Sequence, residues 1–477
     1  MTTLKKHYWA IIPIVGWLVI RFGFGFNGLY GQDAYAYLLH AREWRDFFLG
    51  GEIPGSFFWP PNYSIISALL ALLVKTEFYS LQLVSVLSMI GLGWILDSWI
   101  KKTHQETNET TRMAFVSIAF LLSPFMFRLG MQSMSDMLAM LFLTASFYYL
   151  SLYFQTDRIQ PLLSWAAFSA LAITTRYPAI VVLLPTISFI GFRLLSRSQF
   201  KRLITGLLVG LILIFTAVYW KLNTGGIESG IQTVILHDWS FSNFLGTEFH
   251  RADTNSSFLL PNVLFNLSVF SHPGTFFCGI ALLPFSVKGL KTNTFGLLLL
   301  GSIIIYALFL AGIPFQNSRV MSFTFPLVVM FFFPAFLRLI LLFNSKQIPV
   351  KIVLTVCFLV QITLSARAMQ PSVLNCQFED ELVNYVSKEF PNQTVYTSSY
   401  SQLFEVFETG NPVHQIFDEP VNSFQNSSIF IFNESLVEFK LQGTMPLQNW
   451  ESVNRLMKVE KQKCWSNGWC VYSVKSL

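Results

Sequence analysis

The chain is short of charge. Asp, Glu, Lys and Arg make up 12% of its 477 residues, about half the roughly 25% usual in soluble proteins. Hydrophobic residues make up 53%, with 49 Phe, which is more apolar surface than a soluble core can hide. A soluble globular protein is therefore excluded. The apolar runs are long and continuous rather than alternating, so spanning helices are expected rather than a barrel. Cysteine is scarce as well. The five residues show no CxxC spacing, which leaves no framework for structural zinc. Cys278 and Cys357 fall in apolar runs as packing residues, whereas Cys376, Cys464 and Cys470 lie in a polar C-terminal part. No small-residue cleavage site follows the basic start Met1 to Lys6, and Arg21 interrupts the apolar run behind it. The start thus reads as a retained first helix and not as a signal peptide. The formal charge of +6 comes from Lys and Arg at span ends and calls for no nucleic acid.

What is present is a series of apolar segments, at 9–25, 60–75, 78–99, 113–129, 137–154, 161–175, 177–192, 203–220, 259–287, 294–313, 319–337 and 350–367. Basic clusters between them set orientation. Lys5 and Lys6 place the N-terminus inside, and Lys101 to Arg112, Arg193 to Arg202, Lys288 with Lys291, and Arg338 to Lys351 mark further inside loops. The alternation fails only if 60–75 crosses. That segment is shorter than the roughly 20 residues a span needs and opens on Pro60-Pro61. The fold class expected is an all-α polytopic membrane domain, residues 1–369, with about 11 transmembrane helices plus a re-entrant or surface segment. Its outer loops are 26–59 and 221–258.

Residues 370–477 are polar and mixed. Helix patterning at Phe378–Phe390 and Ser401–Thr409 alternates with strand-like Thr394–Thr397, Val413–Phe417, Ser428–Phe432 and Val471–Val474. A small C-terminal α/β domain is expected, outside the membrane by parity. Cys464 and Cys470 are there free either to pair or to stay reduced.

Acids at membrane depth are costly and mark function. Asp33 stands just past the first span, in Gly31-Gln32-Asp33-Ala34-Tyr35-Ala36-Tyr37. Asp136 stands between two outer-facing span ends, in Ser133-Met134-Ser135-Asp136. A polar flank is the competing role for both, and a helix N-cap for Asp136. Arg176, in Thr174-Thr175-Arg176-Tyr177-Pro178, and Arg319, in Asn317-Ser318-Arg319, lie on the same face. Either can bind phosphate oxygens bidentately or simply snorkel to the interface. The 221–258 loop carries His237, Asp238, Glu248, His250 and Asp253. These are candidates for acceptor or metal contacts, but they match no metal-ligand spacing, and ordinary loop polarity explains them as well.

Four stretches together resemble the GT-C superfamily of membrane glycosyltransferases, of the bacterial aminoarabinose-transferase and protein-O-mannosyltransferase type. They are Asp33 to Tyr37, Pro60-Pro61-Asn62-Tyr63, Ser123-Pro124 through Ser135-Asp136, and Asn317-Ser318-Arg319 leading to Pro326. The resemblance runs over about the first 340 residues, in order and rough spacing. It implies an inverting transfer from a polyprenyl-phosphate sugar to a lipid, glycan or protein acceptor at the outer face. Asp33 matches the catalytic acid, Asp136 the second acidic position, and Arg319 a basic position facing the lipid phosphate. One departure is clear. Where some relatives carry an acidic-basic pair before the Pro-Pro, this chain has Phe58 and Trp59. Metal dependence is thereby left open, and phosphate binding shifts to Arg176, Arg319 or the loop histidines. The bacterial likeness points to an inner membrane, with the C-terminal domain in the periplasm.

The alternatives are a transporter or flippase of lipid-linked saccharides, a polysaccharide polymerase or ligase, and a membrane anchor. A transporter is expected to carry broken helices and ionisable residues at mid-span, but these spans are nearly free of Asp and Glu. A polymerase or ligase needs no acid directly after the first span. An anchor has no use for so many spans.

Overall fold

The computed structural model describes residues 7–223, 238–250, 255–286, 293–417, 419–421 and 423–477. Among them, seven helices are long and apolar enough to cross a bilayer, or eight if the bent pair Glu109–Leu121 and Pro124–Met131 counts as one span. This falls short of the expected 11 for identifiable reasons. The expected spans at 9–25 and 161–175 form the shorter helices Tyr8–Gly23 and Ile159–Thr175. The run at 259–287 breaks into the short helices Asn262–Leu267, Pro273–Phe276 and Gly279–Ser286. Pro261 and Pro273 sit at two of those helix starts, where a missing N–H does no harm. The run at 113–129 bends by 70° at Ser123-Pro124, because the residue before a proline is pushed out of helical geometry. Asn62–Val74 is a helix of 13 residues, about 20 Å long, against a hydrocarbon core of about 30 Å.

Large apolar side chains such as Leu207, Leu211, Ile212 and Phe215 point outward on the Phe200–Asn223 helix. An apolar face of that extent suits lipid and not water. Inside, Phe120, Phe147, Phe323, Phe325 and Phe332 are fully buried and fill the space between helices.

Two separate helices were expected at 350–367 and 378–390. Instead, one helix, Val350–Glu389, runs for 40 residues, about 60 Å. No glycine lies between 368 and 389, and Pro371 is accommodated within the helix. This helix carries the chain from the apolar helices into the C-terminal sheet.

Strands β1 (Glu248–His250) and β2 (Asn255–Ser257) form a small antiparallel pair. The C-terminal sheet consists of β3 (Val395–Thr397), β4 (Val413–Gln415), β5 (Ser428–Asn433), β6 (Met457–Cys464) and β7 (Trp469–Ser476), in the order β4-β3-β5-β7-β6. β4, β3 and β5 are parallel, whereas β7 and β6 are antiparallel. Strand β5 is buried along its whole length, as its unbroken apolar run requires. Ile429 and Ile431 join a core with Leu382 and Val386 of the long helix and with Leu38 and Ala41 of the Gln32–Phe48 helix. Phe430 and Phe432 face the other way, onto Val453 and Trp450 of the Met445–Leu456 helix. The expected α/β character is thus present, with β6 and the Met445–Leu456 helix in addition. A disulfide joins Cys464 to Cys470 across the β6–β7 turn.

Candidate active site

Four charged residues distant in sequence meet at the ends of four helices. Asp33 lies in the first turn of Gln32–Phe48, and Asp136 in the first turn of Asp136–Thr156. Helix starts carry partial positive charge, which favours carboxylates. Arg176 caps the C-terminus of Ile159–Thr175, where the sign of the dipole favours a cation. Arg319 sits in the short helix Ser318–Met321, whose N-cap Asn317 accepts the Arg319 backbone N–H at 2.9 Å.

Backbone fit holds the acid-bearing helix starts together. Ser133 N–H donates to the Gly28 carbonyl at 2.8 Å. Gly28 has φ +93°, and a Cβ there would stand 2.6 Å from Ser133 Oγ. Only glycine lets the first loop lie this close to the turn before Asp136. Gly31, at φ +73°, is the N-cap residue of the helix that carries Asp33.

The side chains form a chain of alternating charge. Asp33 Oδ2 accepts from Arg319 Nη2 at 2.8 Å, and Arg319 Nε lies 3.6 Å from Asp136 Oδ2. Asp136 Oδ1 accepts from Arg176 Nη1 at 2.5 Å. Two carboxylates thus face two guanidinium groups, and a third guanidinium, that of Arg128, lies near Arg319 and donates to Ser318 Oγ at 3.4 Å. Asp136 is 1% exposed, whereas the Asp33 side chain is 33% exposed. Asp136 therefore lies behind the arginines and Asp33 in front of them. Asp136 follows the N-cap residue, Ser135, and does not itself fill that position. Tyr37 packs beneath, its hydroxyl 2.8 Å from Ser135 Oγ. Burial pushes the Tyr37 phenol above its ordinary value and keeps it neutral, while nearby Arg176 pulls the other way.

Asp33, Arg176 and Arg319 open onto a cavity of about 390 Å³. Its remaining walls are largely apolar, including Trp59, Tyr177, Phe309, Leu310 and Phe315. Phe58 also lines it, so the positions that depart from the family pattern extend the greasy wall. Asn266 and Asn317 add polar atoms to the rim. Sequence reading passed over Asn266, although a polar residue inside the apolar run 259–287 is itself a signal.

The described residues of the 221–258 loop do not line this cavity. His237 and Asp253 lie outside the described residues. Asp238 does not line the cavity, and its backbone carbonyl accepts from Asn243 at 2.8 Å. His250 is exposed on β1, with Nδ1 3.0 Å from Asn255 Oδ1 and Nε2 3.7 Å from Glu248. Among the described residues, no group of three or more His, Cys, Asp or Glu is arranged to hold a metal ion.

This architecture has known counterparts. Residues 59–220 match the dolichyl-phosphate-mannose-protein mannosyltransferase family, a stretch that includes Trp59, Asp136 and Arg176. The whole chain superposes on ArnT from Cupriavidus metallidurans, solved bound to undecaprenyl phosphate, with a TM-score of 0.63. The apo state of the same protein gives 0.61. Each comparison covers 98% of this chain and 97% of the other, at 11% identity, so it is the fold that is shared. No curated protein matches the chain by sequence. The chain is thus similar to that mannosyltransferase family by sequence over 59–220, and to ArnT by fold over nearly its whole length.

Proposed function

We propose that this chain is an inverting glycosyltransferase. It takes a sugar from a polyprenyl-phosphate donor and passes it to a lipid, glycan or protein acceptor at the outer face of a bacterial inner membrane. The observation that carries this reading is the cavity itself, in which apolar walls meet two arginines and one accessible carboxylate. A long isoprenoid suits the walls, and a phosphate suits the arginines. The family match over 59–220 and the fold shared with a protein crystallised with undecaprenyl phosphate support the same donor class.

The chemistry follows from placement. An acceptor hydroxyl or amine attacks the anomeric carbon while Asp33 takes its proton as general base. The bond from that carbon to the phosphate oxygen breaks, and its electron pair leaves on the polyprenyl phosphate. Arg319 and Arg176 offset the growing negative charge. A single displacement of this kind needs one carboxylate on the attacking side and inverts the anomeric centre. Asp136, buried between both arginines, serves as a positioning residue. Arg319 is engaged by Asp33. A donor phosphate competes for Arg319 and so releases the base when the donor is seated.

Sidedness rests on the basic loops, and the Cys464–Cys470 disulfide suits an oxidising compartment. The test is a transfer assay with the full-length purified protein and a panel of polyprenyl-phosphate hexoses and pentoses, with the product anomer read by NMR. Donor-dependent product of inverted configuration is expected. Retention of configuration would overturn the single-displacement mechanism, and no transfer from any member of the panel would overturn the donor class.

A further inference from the structure

A second cavity, of about 430 Å³, lies on the other side of residues 30–33. It is lined by Tyr30, Gly31 and Gln32 from the first loop, Tyr35 and Glu379 from the two flanking helices, and Ser398, Ser399, Tyr400 and Trp469 from the C-terminal sheet region. A smaller cavity of about 220 Å³ shares Ser398, Ser399, Phe417 and Trp469 with it and extends to Asn433 and Lys440. The first lies within the roughly 300–1,000 Å³ usual for ligand pockets.

Topology explains why a crevice forms here. After β3 the chain passes through the Ser401–Val406 helix to β4 on one side, and β5 then joins β3 on the other. The gap beyond the carboxyl ends of β3 and β5 is the point where strand order reverses, where open α/β sheets bind ligands. Ser398 and Ser399 follow directly on β3, and Asn433 ends β5.

The lining specifies a chemical class. Glu379 is 2% exposed, and its carboxylate is held by the Tyr35 hydroxyl at 2.7 Å and by Asn375 Nδ2 at 2.7 Å. Each oxygen has one donor and keeps a lone pair for a further one. Tyr400 and Trp469 meet edge to face at 4.9 Å and offer aromatic surface beside the serines. No Lys or Arg lines the larger cavity among the described residues, so it lacks the charge that a phosphate demands. Aromatic faces, hydroxyls and a pre-oriented carboxylate without a cation suit an uncharged, hydroxyl-rich sugar.

We infer that this crevice seats the saccharide part of the acceptor, an uncharged sugar unit, one helix face away from Asp33. Gln32 and Tyr35, three apart, share the helix face toward the crevice. Asp33 is turned away by about 100° into the donor cavity, where it meets Arg319. The first turn of the Gln32–Phe48 helix is thus the partition between the two substrates. The assignment rests on the transferase reading for its role, but not for the binding itself.

Saturation-transfer NMR on the full-length protein tests it, with neutral disaccharides (mannobiose, maltose, chitobiose) and mannose 6-phosphate as probes. Signal transfer to at least one neutral disaccharide is expected, with little or none to the phosphate. Glu379→Gln and Ser399→Trp, the latter filling the crevice, should each weaken binding roughly tenfold or more, as loss of one good contact does. No transfer to any neutral sugar, stronger transfer to the phosphate, or equal transfer in Ser399→Trp would overturn the site. Sugar binding without any transferase activity would sink the proposed function while leaving the crevice assignment standing.

Discussion

Two cavities flank the same four residues and differ in almost every wall. The donor-side cavity is apolar, with a floor of guanidinium groups around Asp33 and Asp136. The larger cavity at the C-terminal sheet is polar and aromatic, with a buried carboxylate and, among the described residues, no Lys or Arg in its lining. On the proposed reading, one helix start serves two substrates of opposite character. In that proposal, phosphate and isoprenoid take one side and hydroxyl-rich groups the other.

The comparison can be broken most severely at Asp136. Asp136→Ala leaves two buried guanidinium groups without their shared counter-charge. Breaking a buried pair in this way costs about 3–5 kcal/mol, so a large fall in thermal stability is expected in a detergent melting assay. An unchanged melting temperature would show that the arginines do not depend on it. Next, Arg319→Ala should weaken polyprenyl-phosphate binding by about 1.5–3 kcal/mol, the worth of a hydrogen bond to a charged group. It should leave disaccharide binding in the crevice intact, and equal loss on both sides would erase the distinction between the cavities. Gly28→Ala places a methyl against Ser133 Oγ at positive φ. Backbone strain of about 1–3 kcal/mol is expected, read as a lower melting temperature together with weakened donor binding. Arg42→Ala should matter least. Its guanidinium donates to the Val406 carbonyl at 3.1 Å in a part-buried bond and lies 3.5 Å from exposed Glu408, and one hydrogen bond to a neutral carbonyl with an exposed ion pair is worth about 1 kcal/mol. A larger loss would mean that docking of the C-terminal sheet depends on this one contact.

Much of the donor side could be read from the sequence. Asp33, Asp136, Arg176 and Arg319 were singled out as charges at span ends, and the structure brings all four together, although Asp33 and Arg319 stand 286 positions apart. Their pairing could not be read, because charge counting assigns a face and not a neighbour. The crevice was hidden for a different reason. Glu379 sits at the start of a segment recognised as helical only by Leu382, Tyr385, Val386 and Phe390, and its partner Tyr35 is 344 positions away. The fold class was legible from apolar runs, but the number of spans was not. Proline breaks at Ser123-Pro124 and across 259–287 turn continuous hydrophobicity into bent or short helices. Strand β6, Met457–Cys464, went unseen because it is a charged edge strand (Lys458, Glu460, Lys461 and Lys463) whose packed apolar face is limited to Met457 and Val459.

The measurement that bears most directly on the partition is made on Asp33→Asn. Polyprenyl-phosphate affinity and sugar-transfer turnover are determined on the same folded preparation. Removing the carboxylate takes away the competitor for Arg319, so donor lipid should bind as tightly as before or more tightly. Turnover should fall by roughly 10²–10⁴, the usual share of a general base. Full turnover in this variant would contradict the assignment of Asp33 as the base.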